Sequence, residues 1–390
     1  MLAYKLAYKN LVGAGLRTWL NVFVLSLSLV LLVMAWGILD GWNIQAKQDM
    51  KEWEVGGGEF WHELYDPLDP MSFKDGQGMI PPEIEKLYSS GEGVPVLVTQ
   101  ATVYPEGRMR NILLKGIDPS QQIVKMPTSL MNGDTSVINA IIGTRMAKAT
   151  KLSENDMVTI RWRDSNGTFD AAEIRIAAIF HSNTPTIDNN QIWLPMDRLQ
   201  KMTSMKGHAS YIILKRGLMS VPTIPGWIHK GYDVLFADFD TVIKAKHIAS
   251  SSVYLILLSL ALLAVFDTQV LSIFRREKEI GTYIALGMTR WQVLRLFTVE
   301  GAMHSVLAVV AGAIWGTPLL FLLAKNGLAM PKGTEGYGIT LAEKIYPVYG
   351  AGTIIIMAVI VMAATTIVSY IPSRKIAKMK PTEALRGKVQ

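Results

Sequence analysis

Four stretches without an acidic or basic residue punctuate the chain. The first lies between Arg17 and Asp40 and carries Trp19, Phe23, Leu25, Leu29, Leu31, Leu32 and Trp36. The second lies between Lys246 and Asp267, and its apolar run continues to Phe274. The third runs from Gly301 to Ala324, and the fourth lies between Lys344 and Arg374 with Thr353 to Ile367 at its centre. Each approaches or exceeds the roughly 20 residues that cross about 30 Å of hydrocarbon as a helix. Buried core helices seldom stay charge-free for so long. The pattern therefore predicts transmembrane helices over 18–40, 247–274, 300–325 and 348–372, with an outer loop over 326–347.

Residues 41–246, between the first two spans, have a different texture, with Gly, Pro, Asp and Asn at turn positions. Val158, Ile160 and Trp162 alternate, Asn166-Gly167 supplies a turn that tolerates positive φ, and Ile174, Ile176 and Ala178 alternate again, which predicts a hairpin. Val94 to Val98 and Tyr211 to Leu214 read as further strands, and Pro82–Ser89, Thr144–Lys151 and Met196–Met202 as short helices. The expected fold class is an integral membrane α-helical protein of four spans with a large α+β extracytoplasmic domain between spans one and two. At about 200 residues that domain is long enough for its own core.

Composition agrees. Half the residues are hydrophobic and 18% are charged, below the roughly 25% of soluble chains, and both figures exclude intrinsic disorder. Lys and Arg number 39 against 32 Asp and Glu, a net charge of +7. The excess falls beside the spans: Lys5, Lys9 and Arg17 before the first, Arg275, Arg276, Lys278, Arg290 and Arg295 between the second and third, and Arg374, Lys375, Lys378, Lys380, Arg386 and Lys388 after the fourth. The positive-inside rule then puts both termini and the 275–299 loop in the cytoplasm and the large domain outside. The basic excess is thus topological and does not call for nucleic acid. The first span reads as a retained anchor, because its apolar run exceeds a signal-peptide core and no small-residue cleavage site follows. Residues 1–17 read as an amphipathic helix on the inner surface, with Leu2, Ala3, Leu6 and Ala7 beside Lys5 and Lys9. The chain has no cysteine, which rules out disulfides and thiolate chemistry.

Catalytic motifs are missing. No G-x-x-x-x-G-K-[ST] phosphate cradle occurs, and Gly56-Gly57-Gly58 has no following lysine. His62, His181, His208, His229, His247 and His304 are scattered without metal-ligand spacing, and no G-x-S-x-G elbow is present. Two acidic residues border the spans. Asp267 precedes Arg275 by about 12 Å of helix and reads either as interfacial or as paired with another helix, since a carboxylate at mid-bilayer costs about 2.5–3.5 kcal/mol. Glu300 reads as a favourable charge at the N-terminus of the third span. Ala308, Gly312 and Gly316 form a small-residue ridge for close helix packing. The inner loop is the most informative segment. It reads as a helix, a break at Gly287 and a second amphipathic helix, with Ile280, Ile284, Met288, Trp291 and Leu294 at helical spacing among charges. Such a face either docks on a protein or lies on the bilayer.

The run Arg275-Arg276-Glu277-Lys278-Glu279-Ile280-Gly281, with Ala285-Leu286-Gly287 and Glu300 opening the next span, closely resembles the R-x-x-E-I-G-x-x-x-A-L-G signature of FtsX-like ABC-transporter permeases. Pro381-Thr382-Glu383-Ala384-Leu385-Arg386 resembles the family's ending, and Tyr8 to Thr18 its entry helix. In the outer domain, Leu114 to Pro119, Ile142 to Ala147, and Phe180 with Asp188 are similar to the periplasmic core domain of MacB and of the lipoprotein-releasing permeases LolC and LolE. Asp267 stands where many relatives carry a neutral polar residue.

The resemblance implies a permease subunit in the bacterial cytoplasmic (inner) membrane, with no cofactor of its own. ATP and Mg would sit on a separate ABC ATPase dimer. Arg276, Glu279, Ile280, Gly281, Ala285, Leu286 and Gly287 would form the coupling segment for that ATPase. Gly312, Gly316, Glu300 and Asp267 would serve helix packing, and a second permease copy or a related permease would complete the transporter. A periplasmic carrier or adaptor protein would be a further partner. Three functions stay open on these grounds: extraction of lipoproteins or other amphiphiles from the outer leaflet, MacB-type drug or peptide efflux, and FtsX-like regulation of an outer hydrolase without transport.

Overall fold

The structure is a computed structural model that describes residues 16–133, 137–182, 185–218, 222–329 and 344–378. The chain divides into two compact units. Among the described residues, one comprises 16–43, 242–329 and 344–378, the other those within 44–241. The expected entry helix, apart from Leu16 and Arg17, and the ending over 381–386 lie outside the described residues.

The membrane unit is built on four long helices: α1 (Leu16–Met50), α5 (Ala237–Arg275), α7 (Arg290–Asn326) and α8 (Ala351–Lys378), with a shorter α6 (Glu277–Ala285). All four long helices are apolar and long enough to cross a membrane. They lie, with the large α/β unit between the first and second, as the fold class predicts. Each starts or ends beyond the charge-free stretch that announced it, because the polar flanks continue the helix. For α7 the start is set chemically. Thr289 Oγ1 accepts a hydrogen bond from Gln292 N at 3.3 Å, and Gln292 Oε1 accepts one from Thr289 N at 2.8 Å, a reciprocal capping box.

The unit's core is a seam of Val22, Leu25, Leu29 and Val33 from α1, Leu258, Ala261 and Val265 from α5, Ala308 from α7, and Met357 and Val361 from α8. These positions recur every three or four residues, one face of each helix. The α1 window is the most enclosed, 44% buried against 17–22% for the other three. Apolar side chains such as Leu260, Ile314, Phe321 and Ile355 point outward instead, as a bilayer or a partner helix would require. Gly312 and Gly316 face α1. A Cβ at Gly316 would come within 2.5 Å of Val30 Cγ2, too close for α1 and α7 to keep their spacing.

The second unit is built on a nine-stranded sheet. Its strands are β1 (Glu59–His62), β2 (Gly93–Val103), β3 (Arg110–Ile117), β4 (Ile138–Gly143), β5 (Met157–Arg163), β6 (Phe169–Phe180), β7 (Gln191–Pro195), β8 (Tyr211–Leu214) and β9 (Trp227–Lys230). Their order is β9-β1-β8-β2-β3-β7-β4-β6-β5. The C-terminal half of β2 also pairs with β5 through Ala101 to Val103, so β2-β3-β7-β4-β6-β5 closes into a barrel. β3–β7 and β4–β6 are parallel pairs; the other ladders are antiparallel. Leu97, Ala101, Val103, Ile112, Leu114, Ile142, Val158, Ile160, Ile174, Ile176 and Ile192 alternate along the barrel strands and share one core. A second core, with Tyr65, Val94, Val96, Trp193, Tyr211 and Ile213, lies on the opposite strand faces. Three helices, α2 (Pro82–Ser89), α3 (Thr144–Thr150) and α4 (Met196–Met202), occupy the predicted positions, and the Asn166-Gly167 turn has Gly167 at φ 88°. Asp188 fixes the start of α3, accepting from Arg145 N at 3.0 Å and from Arg145 Nη1 at 2.7 Å.

The second core encloses a carboxyl and an amine. Glu59 is 5% exposed and Lys115 6%. Glu59 accepts a hydrogen bond from Trp61 Nε1, and Lys115 Nζ sits 5.0 Å from the Trp193 ring centroid. Loss of water pushes the Glu59 pKa up to about 8, against the opposing Trp61 hydrogen bond, and pushes Lys115 down. A carboxyl whose folded pKa lies above its unfolded value stabilises the fold fully below that unfolded value, 4.5, and loses the contribution as pH rises toward 8. Glu59→Gln cannot ionise and should therefore raise Tm at pH 8 by several degrees, since a tenfold change in proton affinity between folded and unfolded chain is worth about 1.4 kcal/mol. The variant should also flatten the pH dependence between 4.5 and 8, as calorimetry at a series of pH values would read. Lys115, whose lowered pKa gives the opposite slope, is common to both proteins.

Candidate functional site

The segment over 275–299 is two helices joined by a fixed corner. α5 stops at Arg275, Arg276 turns the chain with φ −106° and ψ 18°, and α6 begins at Glu277. α6 ends in a Schellman-type closure. Gly287 N donates to Ile284 O at 3.0 Å and Met288 N to Tyr283 O at 3.0 Å. Gly287 takes φ 100° there, a conformation that a side chain resists. Thr289 then caps α7.

Packing holds this corner rigid. Ile280 on α6, Ile273 on α5, and Val293 and Phe297 on α7 are buried together, with Tyr283, Ile284 and Met288 packed around them. An ion-pair clamp adds to it. Arg276 Nη1 donates to both Glu300 carboxylate oxygens at 3.0 Å, and its Nε donates to Glu279 Oε2 at 2.7 Å. The guanidinium also lies 4.8 Å from the Phe297 ring centroid. The side chains of Arg276 and Glu300 are 18% and 9% exposed. Burial works against the arginine's charge, but the two carboxylates outweigh it and raise its pKa.

The predicted coupling residues fall into two groups. Ile280 and Gly281 are buried inside the chain, where they hold α6 in place, and Arg276 is consumed by the clamp. Glu279, Ala285, Leu286 and Gly287 are exposed. Leu286 is 79% exposed, and Trp291 at the start of α7 is 63% exposed. Lys278, Arg290 and Arg295 are exposed on the same segment. Two large apolar side chains among basic groups, on a corner fixed from behind, form a surface suited to docking. Trp291 lies outside the motif, and along the sequence nothing sets it apart from the other apolar positions of the loop.

Glu300 requires a correction. It does not open a helix, since α7 begins at Arg290; its role is to face Arg276. The signal in the sequence is an acidic residue beside a charge-free span that follows an Arg-Arg pair. Asp267 lies on the exposed side of α5, in line with Leu263 and Leu271. Gly312 and Gly316 are the α1–α7 contact described above. Among the described residues no group of three or more His, Cys, Asp or Glu side chains could hold a metal ion.

Residues 251–381 match the FtsX-like permease C-terminal family. The lipoprotein-releasing system transmembrane protein LolC of Xylella fastidiosa is 26% identical over 127 residues, 31% of this chain and 30% of that protein. An uncharacterized ABC transporter permease of Methanocaldococcus jannaschii is 24% identical over 235 residues, 55% of each chain. The matches thus span about a third to a half of these relatives' length. Among solved structures, the extracellular domain of the noncanonical ABC-type transporter YknZ from Gram-positive bacteria is similar at 14% identity and a TM-score of 0.27, covering 42% of this chain and 84% of that one.

Proposed function

From the premise that residues 251–381 form an FtsX-like permease domain, we propose that this chain is the permease subunit of an ABC transporter driven by a separate ATPase. The observation that carries the proposal is the Leu286–Trp291 surface. It is apolar, exposed, and mounted on a corner braced by Ile280, Phe297 and the Arg276 clamp. A braced corner can pass displacement into α5 and α7 instead of absorbing it. The ATPase dimer would bind on the cytoplasmic face, and ATP with Mg would be held there. α1 and α5 continue from the membrane unit into the outer unit, across Asn43/Ile44 and Thr241/Val242, and would carry the motion outward. Both chain ends would be cytoplasmic and the barrel extracytoplasmic, as the basic flanks require. A second permease copy or a related permease would cover the outward apolar faces.

For the cargo we favour lipoproteins or other amphiphiles taken from the outer leaflet. The likeness to LolC supports this, and so does the outer unit's groove of about 770 Å³. Its charged lining residues are Arg161 and Arg163, and Arg161 already covers the Phe169 ring at 4.4 Å. A basic groove suits cationic drugs poorly. Affinity capture of the detergent-solubilised chain from its native membrane should recover a nucleotide-hydrolysing subunit in near-stoichiometric amount. Recovery of the chain with no such subunit would refute the proposal.

A further inference from the structure

Three helices of the membrane unit present buried polar atoms that have no hydrogen-bond partner among the described residues: Gln269 Oε1 on α5, His304 Nε2 on α7 and Ser369 Oγ on α8. The three residues are 2%, 3% and 0% exposed. Gly301 brings them together. A Cβ at Gly301 would overlap Ser369 Oγ and lie 3.1 Å from Gln269 Cδ. His304 sits one turn further along the same face, its Nδ1 3.2 Å from Gly301 O. α1 adds a fourth such atom, Asn21 Nδ2, in a residue 4% exposed. α1 and α7 run parallel, with Gly312 beside Ser26 and Leu29 and Gly316 beside Val30. That register, followed two turns toward the inner loop, sets Asn21 next to the His304 turn.

The hydrogen-bonding chemistry of the cluster is defined. A carbonyl only accepts, so the Gly301 contact requires the proton on His304 Nδ1 and leaves a lone pair on Nε2. Gln269 Oε1 is also an acceptor. Two acceptors cannot satisfy each other, and each lies where an unmet polar atom is costly. Ser369 Oγ is unusual for this bundle. Other buried hydroxyls bond back to their own helix, Ser305 to Ala302 O at 2.6 Å, Thr365 to Val361 O at 2.7 Å and Ser373 to Ser369 O at 2.8 Å. Ser369 does not, and keeps both a donor and an acceptor available. One imidazole, one amide oxygen and one hydroxyl make a weak, uncharged ligand set for a metal cation, and the neighbouring Glu300 is engaged by Arg276. The set suits a small neutral molecule that donates twice and accepts once.

We propose that Gln269, His304 and Ser369 form an ordered-water site inside the membrane bundle, with Asn21 at its edge. Water bridges His304 Nε2 and Gln269 Oε1 by donation and accepts from Ser369 Oγ. The site begins one residue beyond the Arg276–Glu300 clamp, and it makes the α5–α7–α8 junction wet where the seam around Leu25 and Val361 is dry. Water-bridged contacts exchange partners without opening a void, so this junction is where those helices can shift at low cost. The site stands independently of any transport substrate.

X-ray hydroxyl-radical footprinting of the full chain in lipid nanodiscs tests it, because radiolysis of a bound water oxidises the side chain it touches. The probe is water itself, supplied as H₂¹⁸O for tracing. His304 should be oxidised roughly tenfold faster than Phe297, an aromatic side chain of comparable reactivity on the same helix that is 0% exposed and lies in a dry core. Ser369→Ala and Gln269→Leu should each lower the His304 rate several-fold, and either variant that folds is sufficient for the comparison. Oxidation of His304 no faster than Phe297 would overturn the site. A rate unmoved by both substitutions would overturn the assignment of its ligands.

Discussion

Arg276→Ala should lower the thermal stability of the membrane unit and abolish coupling to the ATPase. The substitution leaves Glu300, 9% exposed, without the nitrogen that donates to both its oxygens and frees Glu279. Removing one member of a buried ion pair costs about 3–5 kcal/mol, and the residual exposure of the arginine favours the lower end. In a chain of 390 residues that is a fall in Tm of about 4–6 °C, measurable by intrinsic fluorescence in detergent. Arg276→Lys keeps the charge but not the planar fork, so it should fall between the two. The Arg276→Ala, Glu300→Gln pair should recover part of the stability, because the buried carboxylate is gone, without recovering coupling. If the single variant matched the parent in Tm, the clamp would have no structural role.

The second large effect falls on binding. Leu286→Asp with Trp291→Asp should leave the fold intact, since both side chains are exposed, while removing the apolar centre of the proposed ATPase contact. Large apolar anchors at interface centres are worth about 2 kcal/mol or more each, roughly a thirtyfold loss in affinity per residue. Captured ATPase should drop below detection, and ATP-dependent transport with it, at unchanged Tm. Ile280→Asp forms the contrast. It buries a charge in the α6 core and should lower Tm instead.

The difference between those two substitutions shows what was legible in the sequence. Spacing alone puts Ile280, Ile284, Met288 and Trp291 in one apolar series. Only the corner at Arg276 and the closure at Gly287 show that the series splits, Ile280 turning inward and Trp291 outward. The motif residues Ile280 and Gly281 are thus part of the mount, and Leu286 is part of the surface. The spans were legible because hydrocarbon admits no local compromise: Val22 to Val33 and Thr353 to Ile367 had to be free of charge. The Asn166-Gly167 hairpin was legible because its turn chemistry is local. The barrel was not, since its closure depends on β2 pairing with β8 along one half and β5 along the other, a long-range relation with no local signal. The same holds for Glu300, whose charge was visible but whose partner lies across a helix corner, and for Gln269, His304 and Ser369, which become a cluster only when three helices meet.

Site-specific photocrosslinking tests the central claim most directly. A benzoylphenylalanine at position 286 or 291, activated in native membranes, should join the chain to an ABC ATPase subunit, while the same probe at Phe169 on the barrel should not. Crosslinks from 286 and 291 to lipid alone, or to the ATPase from position 169, would contradict the account.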